Sequence, residues 1–199
     1  LALREKMAMP FPWEMSMAEY RFRTLPNPDF IGKPEPIFSV EQKIISGPNG
    51  YLPIRIYRPN DEPNLPIMLY LHGGGWVIGN MDGFEPTVRS LSNKGKFVVV
   101  QVQYQKAPEH PFPTPFNDCY AVLEWIVRNA ELLKIDATKI GVGGDSAGGN
   151  LAAAVAIKAR DTGLVKLAFQ MLVYPCTGHD GSLPSAIANG EGFGLTSKV

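Results

Sequence analysis

The chain has 199 residues, of which 45% are hydrophobic and 19% are charged, a composition typical of one globular domain with a substantial core. Lys with Arg and Asp with Glu each number 19, so no net charge attracts nucleic acid, an anionic membrane or a polyanionic substrate. We therefore expect a neutral small-molecule partner and no nucleic acid.

The sequence also carries signals about location. No run of 18 apolar residues and no signal-peptide core occurs, which predicts a cytoplasmic protein without stable membrane insertion. Cys119 and Cys176 form neither a disulfide framework nor a metal motif, and we expect them to be buried packing residues. No metal or cofactor motif is present, and the oligomeric state is left open. Leu1 at the start and a loop-like stretch before Val199 suggest that both ends are cut.

Residues 1–40 combine methionine and aromatic side chains with six prolines, which prevent long regular structure after the first turns. Two interpretations stay open for this segment. It is either a leader packed on the domain surface or part of a lid over an apolar site, because flexible methionine and aromatic surfaces suit adaptable hydrophobic binding.

A change of period near residue 40 opens a series of predicted strands and helices. Alternating apolar residues around a turn at 47–50 predict a β-hairpin, and the continuous apolar runs 66–71, 97–102 and 167–174 predict buried strands. Helical stripes follow at 85–93 and 116–129. Asn117 or Asp118 is the expected N-cap of the second helix, and Asp118 is alternatively a loop anchor.

A strand at 139–142 and a helix at 147–161 that stops at Gly163 enclose a glycine-rich turn. The alternation of strands and helices after the hairpin predicts an α/β fold with a doubly wound, mostly parallel sheet. Functional residues of such a sheet lie at the carboxyl ends of its strands.

The turn contains G-x-S-x-G, with Ser146 between Gly144 and Gly148. In this pattern the serine sits on a strained turn between strand and helix, and the glycines remove Cβ atoms that would clash. The N–H of Ala147 then points to where an oxyanion would form. The strand before and the helix after match the context that the motif requires, so we predict that Ser146 is a nucleophile.

A second glycine motif follows the buried run 66–71, where His72 precedes Gly73, Gly74 and Gly75. Three successive glycines after a strand indicate backbone conformations or close approaches that side chains would forbid. This pattern is typical of the second half of a hydrolase oxyanion hole. We expect His72 to hold the loop through a hydrogen bond and not to act as the base.

Three segments, 72–76, 104–113 and 144–150, resemble in their order and spacing the hormone-sensitive-lipase-like branch of the α/β-hydrolases. The resemblance runs from about residue 40 to 177. It implies an α/β-hydrolase domain at 41–199 behind an N-terminal cap segment at 1–40, with the stretch after Tyr174 also contributing to the cap. The implied activity is that of a serine carboxylesterase that cleaves short- to medium-chain acyl esters through an acyl-enzyme.

The resemblance assigns a role to each site residue. Ser146 is the implied nucleophile, and the N–H groups of Gly74, Gly75 and Ala147 are the implied oxyanion donors. Trp76 and Tyr174 are the expected pocket residues. The residues expected to support the two motifs are His72, Gly73, Gly144, Asp145 and Gly148.

The chain departs from the family pattern in three places. Gln105 stands where the family has an arginine, and residues 83–85 lack the usual histidine. The acid and base of the family triad follow two further strands, so we expect the C-terminal strands to be missing and the 199-residue chain alone to be at most feebly active. His110, or His179 with Asp180, is the alternative inside the chain, although adjacent side chains of an extended loop point to opposite sides.

A different class of function also fits the resemblance. The same family includes plant gibberellin receptors, which keep the cap and the pocket but have lost the catalytic histidine. A silent small-molecule-binding protein is therefore the alternative. The oxyanion loop together with an intact Ser146 favours the enzyme.

Overall fold

The computed structural model of the chain describes residues 12–178 and 181–191. They form two compact units, one of Pro26–Cys176 and one of the described residues on either side of it. The second unit contains short helices only, as the prolines predict. Ser16 caps the first of them by accepting the N–H of Glu19 at 3.2 Å. The boundary at residue 40 between the expected cap segment and the expected α/β-hydrolase domain stays a prediction.

Six helices occur in the described residues beside short 3-10 turns, and none of them is long and apolar enough to cross a membrane. Their bounds are α1 Met17–Arg23, α2 Pro28–Ile31, α3 Glu85–Gly95, α4 Thr114–Arg128, α5 Ala147–Thr162 and α6 Pro184–Ala188.

Six strands form one sheet, with β1 Ser39–Gly47, β2 Gly50–Arg58, β3 Leu65–Leu71, β4 Val98–Val102, β5 Ile135–Asp145 and β6 Phe169–Val173. Their order across the sheet is β1-β2-β4-β3-β5-β6. The first two form the predicted hairpin, and β3 to β6 run parallel to one another. The predicted mostly parallel sheet is therefore confirmed, and β3 and β5 are neighbours.

Apolar side chains cover both faces of this sheet. The larger core cluster joins one face to α4 and α5, and the smaller cluster joins the other face to α3 through Tyr57, Met68 and Val88. Alternate residues of a strand point to opposite faces, so strands buried on both faces read as continuous apolar runs. The helices on both sides confirm the doubly wound arrangement.

The predicted N-cap of α4 is wrong. The helix begins at Thr114, three residues before Asn117, because Pro115 in its first turn needs no hydrogen-bonded N–H. Asp118 lies inside the helix, fully buried, and its carboxylate accepts the N–H of Gln105 at 3.0 Å. The alternative interpretation of Asp118 as a loop anchor is therefore confirmed, and burial raises the pKa of this carboxyl.

Candidate active site

Ser146 joins the end of β5 to the start of α5 in a strained conformation. Its φ is 52° and its ψ −119°, a region that non-glycine residues rarely occupy unless the surroundings enforce it. The N–H of Ser146 donates to the carbonyl of Val173 at 3.0 Å. The Ser146 carbonyl accepts from the N–H groups of Asn150 and Cys176 at 3.0 and 3.1 Å. Strand β6 and the first turn of α5 thus hold the serine backbone on both sides.

The two glycines of the motif pack against the end of β3. A Cβ on Gly144 would clash with the carbonyl oxygen of Leu71 and with the backbone of Gly148. A Cβ on Gly148 would clash with the carbonyl oxygens of Leu71 and His72. Because these neighbours are backbone atoms, they cannot move aside as a flexible side chain could. Glycine at both positions is what lets the turn lie on the neighbouring strand.

In the loop after β3, the carbonyl groups of two successive peptides are held by hydrogen bonds. The imidazole Nδ1 of His72 lies 2.8 Å from the carbonyl oxygen of Gly73, and the N–H groups of Val77 and Ile78 donate to the carbonyl of Gly74 at 3.1 and 2.9 Å. In a trans peptide the N–H points away from the carbonyl. The N–H groups of Gly74 and Gly75 therefore point away from these anchors.

Three backbone donors that flank Ser146 have no acceptor among the described residues. They are the N–H groups of Gly74 and Gly75 and that of Ala147, whose position at the start of α5 leaves it outside the helical ladder. The positive end of the helix dipole adds to the attraction of Ala147 for an anion. Such donors can stabilise a developing negative charge on an oxygen.

His72 is 1% exposed, and its ring stacks on two aromatic rings. The centroids of Tyr104 and Phe84 lie 4.4 and 5.6 Å from the imidazole. The hydroxyl of Tyr104 also donates to the His72 carbonyl at 2.7 Å. Burial lowers the pKa of His72 to about 4, so the ring is neutral near pH 7 and Nδ1–H donates to Gly73. The hydrogen bond expected of this residue is present.

The buried carboxylate of Asp145 connects the two glycine motifs. Its Oδ1 accepts the N–H of Gly73 at 3.0 Å and the hydroxyl of Tyr70 at 2.9 Å. Tyr70 lies in β3, next to β5 in the sheet. The two motifs therefore meet at the carboxyl ends of adjacent strands, where functional residues of such a sheet are expected.

The remaining candidate residues differ in their surroundings. Trp76 is half-buried against the larger core cluster, whereas Tyr174 is 74% exposed, and a pocket role for either stays a prediction. His110 is exposed in the loop before α4. His179 and Asp180 lie outside the described residues. No hydrogen bond joins Ser146 to His72 or His110, the two histidines within the described ranges.

Two residues of this site were missed by sequence reasoning. Tyr70 belongs to an apolar run that predicted only a strand, and Phe84 lies in a turn that was noted only for lacking a histidine. The signal for Tyr70 was its hydroxyl, because a buried tyrosine usually finds a hydrogen-bond partner. No local signal marks Phe84, since its contact with His72 bridges separate loops.

Possible metal ligands are scattered. Across residues 12–178 and 181–191, no group of three His, Cys, Asp or Glu side chains could hold a metal ion. Neither Cys119 nor Cys176 forms a disulfide within the described ranges, and Cys119 is buried whereas Cys176 is half-buried. Burial raises the pKa of the Cys119 thiol, so this sulfur is a packing atom, as expected. The expectation of burial is wrong for Cys176, which follows β6 beside the Ser146 turn.

Comparison with known proteins places the site in context. The family model described as alpha/beta hydrolase fold matches residues 68–198. A carboxylesterase of Mycobacterium tuberculosis, NlhH, is 41% identical over 182 residues, which are 89% of this chain and 55% of that protein. An arylesterase of Saccharolobus solfataricus is 44% identical over 124 residues, or 62% of this chain and 40% of that protein. The chain spans about half the length of the curated relatives it matches.

Solved structures agree with this result. An esterase from Pyrobaculum calidifontis superposes with a TM-score of 0.88 at 38% identity, covering 98% of this chain and 66% of that one. An ester hydrolase from the Lake Arreo metagenome, solved with a bipyridine phosphonate derivative, gives 0.90 at 36% identity, covering 98% of this chain and 63% of that one. The expected fold is confirmed.

Proposed function

The chain belongs to the hormone-sensitive-lipase-like branch of the α/β-hydrolases, and from this premise we propose that it carries the nucleophile and the oxyanion donors of a serine carboxylesterase. One observation carries the proposal. Ser146 occupies a strained turn beside the loop that holds Gly74 and Gly75, whose N–H groups are unpaired among the described residues. The esterase names of its relatives support the reaction class.

The mechanism is acyl transfer in two steps. The hydroxyl oxygen of Ser146 attacks the ester carbonyl carbon and gives its proton to a general base. The N–H groups of Gly74, Gly75 and Ala147 stabilise the resulting oxyanion. The base then gives this proton to the leaving oxygen as the ester C–O bond breaks, which releases the alcohol and leaves an acyl-enzyme. Water, deprotonated by the same base, attacks the acyl carbon, and the serine oxygen leaves with its proton restored as the carboxylic acid is released.

The proposed substrates are uncharged esters with short to medium acyl chains. The net charge of zero favours a neutral substrate. Membership of a family whose members are named esterases favours an ester as the bond that is cleaved. Rates on p-nitrophenyl esters of increasing chain length test this part. An optimum at long chains, or turnover of anionic esters only, would contradict it.

Neither the base nor the acid of the triad is assigned to a described residue. His72 is neutral, buried and bound to Gly73, and His110 is exposed. Serine hydrolases without their base lose on the order of 10⁶ in kcat. We therefore expect residues 1–199 expressed alone to be far less active than the complete gene product. Activities within about tenfold of each other would place the base inside these residues.

An organophosphonate ester tests the nucleophile directly. It should phosphonylate Ser146 in the complete gene product, and mass spectrometry of the digest should locate the adduct there. The Ser146→Ala variant should take up no label and lose activity by on the order of 10⁶-fold in kcat. Ser182→Ala, which changes a serine outside this turn, is the matched control. A label on another residue would overturn the assignment, and ester binding without turnover would favour a silent receptor-like protein.

A further inference from the structure

We propose that Asp145 is a positioning residue whose carboxylate locks the two halves of the oxyanion site into one geometry. The inference rests on the proposed function, because it concerns the donors that would stabilise the oxyanion. Asp145, which lies between Gly144 and Ser146, would position the oxyanion loop, and Tyr70 would hold the Asp145 carboxylate in place.

The two halves of the site belong to different parts of the chain. Gly74 and Gly75 lie in the loop after β3, whereas Ala147 begins α5. Their N–H groups can act on one oxygen only if the loop and the turn keep a constant separation. Asp145 directly precedes Ser146, so its carboxylate moves with the turn. By accepting the N–H of Gly73 at 3.0 Å, it ties the loop to that turn.

The carboxylate itself is held from a second side. Tyr70 donates its hydroxyl to the same oxygen at 2.9 Å, and Tyr70 belongs to the strand from which the loop emerges. Burial and the neighbouring Asp145 raise the pKa of Tyr70 well above its usual range, so the phenol remains a donor. Hydrogen bonds to a carboxylate are stronger than those between neutral groups.

The contact leaves no space for the loop to shift. Asp145 is buried, and a Cβ on Gly73 would clash with its Oδ2 and lie 2.9 Å from its carbonyl oxygen. Gly73 is also held at its other end, where His72 binds its carbonyl. With both ends of Gly73 fixed, the direction of the following Gly74 N–H is fixed too, because the peptide is planar.

This arrangement predicts a specific kinetic consequence. A displacement of about 1 Å at a catalytic group can reduce a rate by on the order of 10²-fold. The oxyanion exists in the transition state and not in the bound ester, so loss of the Asp145 contact should lower kcat and leave KM nearly unchanged. Substitution of a residue that merely stabilises the fold would lower the melting temperature without lowering kcat selectively over KM.

The first test measures the loop directly and needs no catalysis. Amide hydrogen exchange of the complete gene product should be faster in residues 72–79 of Asp145→Ala, with α5 unchanged. Asp161→Ala, which removes an exposed carboxylate near the end of α5, is the matched control and should exchange as wild type does. Unchanged exchange of residues 72–79 in Asp145→Ala would overturn the proposal, whether or not the protein hydrolyses esters.

The second test is kinetic, on p-nitrophenyl acetate. We expect Asp145→Ala to lower kcat by about 30- to 100-fold with KM within about threefold of wild type. Asp145→Asn, which keeps an acceptor oxygen, should recover kcat to within about fivefold of wild type. Tyr70→Phe should fall between them, and Tyr120→Phe, which removes a hydroxyl bound to Thr162, is its control.

The outcomes separate the two proposals. A wild-type protein that neither hydrolyses esters nor reacts at Ser146 refutes the proposed function, and hydrogen exchange then decides on Asp145 alone. An active wild type with an equally active Asp145→Ala refutes the positioning role alone. A rise in KM without a fall in kcat would also refute it, because that result assigns Asp145 to ground-state binding.

Discussion

The imidazole of His72 illustrates how burial alters the chemistry of a single residue. Histidine usually titrates near pH 6.5, but burial lowers the pKa of this ring to about 4. Stacking on Tyr104 and Phe84 and the hydrogen bond to Gly73 hold the neutral ring in place. Burial thus leaves His72 as a neutral ring that packs on its neighbours and donates one hydrogen bond.

This pKa predicts how stability depends on pH. The unfolded chain takes up a proton on this residue as the pH falls through 6.5, whereas the folded chain takes it up near pH 4. The stabilisation present above pH 6.5 should therefore decrease as the pH falls, by about 3 kcal/mol between pH 6.5 and 4.

Urea unfolding at several pH values tests the prediction. His72→Asn retains an N–H donor for Gly73 but cannot titrate, so its free energy of unfolding should fall less between pH 6.5 and 4 than that of wild type. His110→Asn, which removes an exposed imidazole, is the matched control. Parallel curves for wild type and His72→Asn would contradict the prediction.

At the scale of elements, the strand, turn and helix around Ser146 act as one unit. Strand β5 lies beside β3 and β6, and α5 packs back onto the sheet. The turn is tight because Gly148, in the first turn of α5, lies against the backbone at the end of β3. The position of Ser146 thus depends on the packing of three elements and not on the turn alone.

The packing of Gly148 leads to a stability prediction. In Gly148→Ala the new Cβ would clash with the carbonyl oxygens of Leu71 and His72, which cannot rotate away. We expect a loss of about 3 kcal/mol in the free energy of unfolding, the upper end for overpacking. Gly178→Ala adds a methyl group where no atom of the described residues lies within 4 Å and is the control. Chemical denaturation measures both, and equal losses would refute the steric explanation.

At the scale of the whole molecule, the sheet ends at β6 in the described part of the chain. The strand pairs with β5 on one side, and its residues Phe169 and Leu172 are more than a third exposed. A groove of about 820 Å³, lined in part by Phe97, Phe169 and Met171, lies along one of its faces. An edge strand with exposed apolar side chains is a site for pairing with another chain.

We therefore expect residues 1–199, expressed alone, to self-associate through β6. Leu172→Lys places a charge on this edge and should increase the monomer fraction, because charged edge residues oppose strand pairing. Leu132→Lys changes an exposed apolar residue of the loop between α4 and β5, outside β6, and should leave association unchanged. Sedimentation velocity measures the distribution. Equal monomer fractions in both variants would show that association does not depend on the strand edge.

The sequence by itself determined the features that depend on neighbouring residues. Alternation around 47–50 predicted the hairpin, and the continuous apolar runs predicted strands covered on both faces. The glycines around Ser146 predicted the tight turn, and Gly163 predicted the end of α5, where it has φ 66°. These signals work because strand periodicity, turn conformation and helix termination are set by residues close together in the chain.

The tertiary structure alone decided which distant groups meet. Asp145 binds Tyr70 and Gly73 because β3 and β5 are adjacent in the sheet although they are separated in the chain. No local sequence pattern predicts that strand order. The tertiary structure also decided that Asp118 is a loop anchor inside α4, since a buried carboxylate takes whatever donor the fold brings to it. The physical reason is that a hydrogen bond between distant segments depends on the packing of the whole sheet.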